Sequence, residues 1–382
     1  LLLTGGEEGL VADQAVSFFA DGEIDAIEID LDAGRSFRLE QRAEIWYLTE
    51  PVESRADEET LQALTALIEQ MVAIPLEYDE REEAESLEAF GIGTEGQFRL
   101  ALQSSGAGFE EILIGREIPL DVGYVYAWDP AEERLYKVQR ENREFLNRTL
   151  FEMRNKKLSF LSAQDVSEVA IESAASTLRL ERSGGWWEIT EPVEAPADGS
   201  AVNALLQGLT ALRASDFPEP QRGTSPLLRL TLRTRNGETE SIAIGESYND
   251  GLTLVETDIP GGPFGVQSAS LEELPLTLED SRSMSILRYR PEEIDAVYIV
   301  TPADQFSLKR QGGRWILDNE REVRADSGLI GRLLQALLQV RGEAVADSAK
   351  KTVREQSEYR IVLTERNGQE HTLWLAADSS SD

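Results

Sequence analysis

The 382 residues carry 37 basic and 71 acidic side chains, a formal charge of 37 − 71 = −34, and no cysteine. A polyanion of this kind is repelled by phosphate backbones and anionic lipid surfaces, so nucleic acid is not an expected partner. The missing thiols remove disulfides, thiolate metal sites and cysteine nucleophiles together. His371 is the single histidine, so a histidine metal centre or a Ser-His-Asp triad would have to use it. Its alternating surroundings read instead as a strand side chain at a sheet surface.

The chain opens on Leu1-Leu2-Leu3 before a polar, glycine-containing stretch. These leucines read either as the tail of a removed signal or membrane anchor or as an arbitrary boundary. No run approaches the roughly 18 apolar residues that a bilayer span needs.

From residue 24 the sequence repeats itself. Ile24-Asp25-Ala26-Ile27-Glu28-Ile29, Val166-Ser167-Glu168-Val169-Ala170-Ile171 and Ile294-Asp295-Ala296-Val297-Tyr298-Ile299 alternate as half-buried strands do. Each is followed by a second alternating run, at 37–39, 178–180 and 306–308, and then by a strand carrying Trp46, Trp187 or Trp315. Eleven residues past the tryptophan stand Asp57, Asp198 and Asp326, each after an alanine and before a helical pattern, where an aspartate serves as the N-cap. Apolar residues then fall at +4, +7, +11 and +14: Leu61, Leu64, Ile68, Met71; Val202, Leu205, Leu209, Leu212; Ile330, Leu333, Leu337, Val340. That spacing makes one stripe of an α-helix, which must pack on the preceding sheet. Three aspartates at one offset are therefore read as structural helix caps rather than a catalytic set.

The second half of each unit starts a strand at Arg99, Arg229 or Arg360 that turns and returns, through Asn236-Gly237 and Asn367-Gly368 in the later copies, a pair suited to tight hairpins. The first two copies continue with further strands, at 124–128 and 135–138 and at 252–257 and 264–267. Residues 143–157 and, less regularly, 271–287 read as joining helices and as places for the units to pivot. The acidic run 77–88 reads as a solvated helix or loop, and 378–382 as a polar tail.

The resulting expectation is an α+β fold, a tandem repeat of antiparallel β-sheet plus amphipathic helix plus β-meander, with two full copies and one partial. Its boundaries are 1–160 for the first repeat unit, 161–288 for the second and 289–382 for the partial third.

Gly185-Trp186-Trp187-Glu188-Ile189-Thr190-Glu191-Pro192-Val193 with Ala197-Asp198 and the leucine-striped helix resembles the bacterial proteins catalogued as domain of unknown function 4340. Trp46 to Asp57, including Glu50-Pro51-Val52, is the matching segment in the first copy. The third keeps Gly313, Trp315 and Asp326 but has Asn319-Glu320 in place of Glu-Pro. The segment 87–92 is similar to the family's linker. The resemblance implies an extracytoplasmic protein with an N-terminal membrane anchor not present in this sequence, facing the outside of the cytoplasmic membrane. It also implies membrane protein partners, such as the gliding-motility-type ABC transporter subunits whose genes often lie beside this family. It supplies no catalytic residues and no cofactor.

Motifs for chemistry are missing: there is no phosphate-binding GxxxxGK[ST], no GxSxG elbow, and the glycine pairs sit in turns. Tyr248-Asn249-Asp250-Gly251 lacks the ligand spacing of a calcium loop and reads as a turn. Carboxylates are abundant, but nothing singles out an acid and base pair. Tyr124, Tyr126 and Trp128 share one strand face, with Tyr136 on the partner strand. They are read either as core or as a contact surface for a partner or glycan. Trp186, beside the repeated Trp187, is a second exposed-aromatic candidate. The functional expectation is a non-enzymatic scaffold or accessory subunit of an ABC-transporter-like envelope complex. The alternatives are a glycan- or peptide-binding module and a carboxylate-dependent hydrolase.

Overall fold

The computed structural model describes residues 16–17, 23–76, 87–104, 108–220, 225–249, 251–318, 323–342 and 357–376. Leu1-Leu2-Leu3, most of the acidic run, Asp250, Asn319-Glu320 and the tail 378–382 lie outside the described residues. The chain divides into two compact units, Leu1–Glu194 with Ser200–Thr277, and Ala195–Gly199 with Leu278–Asp382.

In the first unit, alternating apolar residues make β1 (Val16–Ser17), β2 (Ile24–Asp30), β3 (Ser36–Arg42), β4 (Ile45–Glu50), β5 (Ser54–Arg55), β6 (Val72–Pro75), β7 (Phe98–Ser104), β8 (Phe109–Glu117), β9 (Tyr124–Asp129) and β10 (Arg134–Gln139). They form one ten-stranded antiparallel sheet in the order β1-β6-β10-β9-β8-β7-β2-β3-β4-β5. Register places Ile27 opposite Leu39 and Leu102, and Ile29 opposite Phe37 and Leu100, so one sheet face is a continuous apolar surface. Helix α1 (Glu58–Glu69) covers that face with Leu64 and Ile68, and Met71 follows just past its end at 1 % exposure. At about 1.5–3 kcal/mol for each large apolar side chain buried, this contact is the main source of stability in the repeat.

The same plan recurs. The second repeat has β11 (Val166–Ser173), β12 (Thr177–Ser183), β13 (Trp186–Glu191), β14 (Ala195–Pro196), β15 (Leu228–Thr234), β16 (Thr239–Asn249), β17 (Leu252–Thr257) and β18 (Phe264–Gln267). Here the sheet order within the first unit is β13-β12-β11-β15-β16-β17-β18. The third has β19 (Ile294–Val300), β20 (Gln305–Gln311), β21 (Arg314–Leu317), β22 (Val323–Arg324), β23 (Tyr359–Glu365) and β24 (Glu370–Leu375), ordered β22-β21-β20-β19-β23-β24.

Several expectations change. The joining segments are not long helices: 143–157 breaks into α2 (Arg140–Leu146) and α3 (Leu150–Met153). Thr149 opens α3 with a capping box, its hydroxyl accepting from the Glu152 amide while Glu152 accepts from the Thr149 amide at 2.8 Å. Residues 271–287 break likewise after α5 (Ser268–Glu272), and Pro275 lies before the short α6 (Leu278–Ser281). With α4 (Gly199–Ala211) and α7 (Ser327–Leu338) as the only other helices of length, the described residues are mostly antiparallel sheet, more β-rich than the α+β class expected. The Asn-Gly hairpins also differ from two-residue turns. Of each Asn-Gly pair only the glycine, Gly237 or Gly368, has positive φ, and the loops close through Thr234 N to Glu238 O and Glu365 N to Gln369 O, both at 2.9 Å.

Beyond Met153 the chain runs extended and is stitched on both sides. Asn155 N donates to Arg55 O at 2.9 Å on the first repeat, and Ala214 N donates to Lys156 O at 2.8 Å from the second. The joint between these repeats is thus held by backbone hydrogen bonds where a pivot was expected. Within the second unit the pattern returns: Ser283 N donates to Pro196 O at 2.9 Å and Gly342 N to Met284 O at 2.8 Å.

Candidate functional site

Asp57 accepts from the Thr60 amide at 3.0 Å, and Asp326 accepts from the Gly328 and Leu329 amides at 2.8 and 3.1 Å. Asp198 directly precedes α4, and its carboxylate faces Arg341 at 3.4 Å. Burial raises the Asp57 carboxyl, but the Thr60 amide and the Lys156 ammonium, 3.0 Å away, outweigh it and hold the group below its ordinary value. Amide donors likewise lower Asp326.

The repeated tryptophan is not in the same state in every copy. Trp187 and Trp315 are each 5 % exposed, whereas Trp46 is only half-buried and lines an open recess of about 400 Å³. The cause lies on the helix above it, eight residues past each capping aspartate. There the later copies place Leu206 and Leu334, 1 % and 2 % exposed, and Leu334 shares a core cluster with Trp315. The first copy has Thr65 at that position, shorter and turned back to donate to Leu61 O at 3.1 Å. Ile45, Leu61 and Phe160 complete the apolar floor, and Gln41, Gln62, Glu44 and Glu58 supply the rim. Arg55 lies 3.9 Å above the centre of the Phe160 ring, closing one side. Positions 41 and 62 have counterparts, 141 residues on, in Arg182 and Asn203 (182 − 41 = 141; 203 − 62 = 141), which line a polar recess of about 470 Å³ in the second repeat.

The family called Domain of unknown function (DUF4340) matches residues 46–221 and again 187–362. The two matches begin 187 − 46 = 141 residues apart, the interval between Trp46 and Trp187, so they follow the structural repeat. The chain belongs to the DUF4340 family. No curated protein and no solved structure matches it.

In this DUF4340 protein the aromatic strand does not form an open platform. Tyr126 and Trp128 are 9 % and 7 % exposed, clustered with Phe90, Ile92 and Leu135 beneath the segment Leu87–Phe90, and the Phe90 and Tyr126 rings meet edge-on at 4.8 Å. Tyr124 is half-buried, with the Lys137 ammonium 4.6 Å from its ring centre. Tyr136 lies opposite Ala127, on the other face of the sheet, and is 4 % exposed in the main core. Burial and a hydrogen bond to Glu132 push its phenol up to about 12. Trp186 is 39 % exposed.

His371 lies on β24, part-buried with its side chain 14 % exposed, and faces Glu365 at 2.8 Å and the Tyr289 ring at 5.9 Å. Tyr248 donates to Asp216 at 3.1 Å. Among the described residues no three His, Asp or Glu side chains converge as a metal site, and no helix is long and apolar enough to cross a membrane. Sequence reasoning missed the Trp46 recess because it used the tryptophan only as the marker of a repeated strand. The signal was the single threonine at a leucine position of the helix.

Proposed function

We propose that this DUF4340 protein is a non-enzymatic scaffold of the cell envelope, an extracytoplasmic accessory subunit of an ABC-transporter-like complex, anchored through an N-terminal segment of the full-length protein. The observation that carries this reading is the Trp46 recess. It has an aromatic and aliphatic floor beneath a rim of amides and carboxylates, the anatomy of a surface that holds a partner segment. Glu44 on its rim and the charge of −34 favour a basic polypeptide segment as the occupant. The first two repeats, joined by backbone hydrogen bonds, supply a frame for it. For the reading of a glycan- or peptide-binding module, the platform moves from the buried aromatic strand to Trp46 and Phe160. A carboxylate-dependent hydrolase needs a carboxyl with a raised pKa as its acid. The shifted carboxyls Glu40, Asp57, Glu152 and Asp326 all move down.

The test is co-purification from native membranes of the protein expressed with its own upstream sequence. Transporter subunits should accompany it, and Trp46→Ala should release them while leaving the fold intact. A full-length protein found free in the cytoplasm would overturn the assignment.

A further inference from the structure

The polar recess of the second repeat stands apart from the scaffold reading and does not depend on it. In a chain with almost twice as many acids as bases, two arginines, Arg182 and Arg235, line one cavity of about 470 Å³. Two other arginines of the same sheet are matched, Arg179 with Glu191 at 3.6 Å and Arg233 with Glu168 at 3.6 Å. Arg182 and Arg235 form no ion pair among the described residues. The side-chain contact of Arg182 is one long bond, 3.5 Å, to Gln164 O. Arg235 spends its backbone amide on Asp165 O at 3.1 Å and keeps its guanidinium for the recess. A guanidinium carries five donors in a planar fork, so both retain most of their capacity.

Opposite them, one turn apart on α4, stand the exposed carboxamides of Asn203 and Gln207. Asp165 lines the same recess. Two forks that match an oxyanion, beside carboxamides and a carboxylate that exchange hydrogen bonds with hydroxyls, make a donor set for a molecule bearing both groups. The recess of the first repeat shares two of these positions, as Gln41 and Gln62, and opens over an aromatic floor, so the two copies present different chemistry beside the same helix.

We propose that this recess binds a small hydroxylated oxyanion, a sugar acid or sugar phosphate, with the anionic group held by Arg182 and Arg235 and the hydroxyls by Asn203, Gln207 and Asp165.

The experiment is a titration of the whole chain at low ionic strength with glucuronate, glucose 6-phosphate, inorganic phosphate and glucose, followed by calorimetry and by amide chemical shifts. Saturable binding of glucuronate or glucose 6-phosphate, with glucose and inorganic phosphate weaker, is the expected result, and the tighter of the two identifies the anionic group. Arg182→Ala and Arg235→Ala should each weaken it about tenfold, the scale of one charge-assisted contact. Arg182→Lys and Arg235→Lys, which keep the charge and lose the fork, replace them if the alanine variants do not fold. Asn203→Ala with Gln207→Ala should weaken the acid sugars and leave inorganic phosphate unchanged. The proposal fails if neither acid sugar saturates, if the arginine variants bind as well as the parent, or if glucose or inorganic phosphate binds as tightly as the acid sugars.

Discussion

Thr65 leaves Trp46 uncovered. The pair sits where Leu206 and Trp187 sit in the next copy, and the change from leucine to threonine separates a sealed core from an open recess. Thr65→Leu should close it. The hydroxyl bonds only within its own helix, to Leu61 O and Gln62 O, so no long-range partner is lost. Burial of the new side chain should add roughly 1–2 kcal/mol to stability. Acrylamide quenching of tryptophan fluorescence should fall in the same variant. Unchanged quenching would mean that Trp46 is not the accessible ring.

The first hairpin is built against backbone preference. Ala43 and Glu44 have φ of 48° and 66° at the turn where the later copies use Gly184-Gly185 and Gly312-Gly313. Left-handed backbone costs a side-chain-bearing residue about 1–2 kcal/mol, and part of any gain on changing to glycine is returned as unfolded-chain entropy. The double change Ala43→Gly, Glu44→Gly is therefore expected to stabilise by roughly 1 kcal/mol, measured by urea unfolding.

The Asp57 cap makes stability depend on acid. Its folded pKa lies below the ordinary value of 3.8, so the unfolded chain binds the proton more tightly. The stabilisation is in full force above the unfolded value of about 3.9 and is lost as pH falls through the folded one. Asp57→Ala should cost about 1 kcal/mol at neutral pH and flatten the stability profile below pH ~4. A double-mutant cycle with Lys156→Ala measures the coupling between cap and linker, and additive losses would rule that coupling out.

Trp128 and Trp186 should answer oppositely to truncation. Trp128→Ala opens the cluster around Phe90 and is expected to cost about 3–5 kcal/mol, while the exposed Trp186 should change stability little. Thermal melts of the two variants check this, and equal losses would place Trp186 in a core as well.

Strand alternation, tryptophan spacing and the aspartate before each helical stripe made the repeat legible without coordinates, because a period of two or of 3.6 is written in the side chains themselves. The joining segments were not legible. Arg143 to Met153 has a helical apolar pattern, but Thr149 and Glu152 restart the helix, and backbone hydrogen bonds to Arg55 and Ala214 then pull the next residues into an extended path. Those partners are far away in sequence, and no local pattern announces them. The face of Tyr126 and Trp128 was ambiguous for a related reason: the segment that covers it, residues 87–92, reaches it from a distant part of the chain. The Trp46 recess depends on a single position, Thr65, where one copy departs from the others, a contrast visible only once the copies are superposed.

The stitched linker also dictates an order of assembly. The Asp57 carboxylate that starts α1 awaits an ammonium group 99 residues downstream, and the Asp57 amide awaits the carbonyl of Met153. A nascent chain leaving the ribosome therefore has the start of α1 without those two partners until the linker emerges. When that segment docks, its free edge is already presented to the next repeat still being synthesised. The first repeat is fastened by the residues that introduce the second, and a truncation placed just ahead of Arg154 removes the ammonium group that faces Asp57.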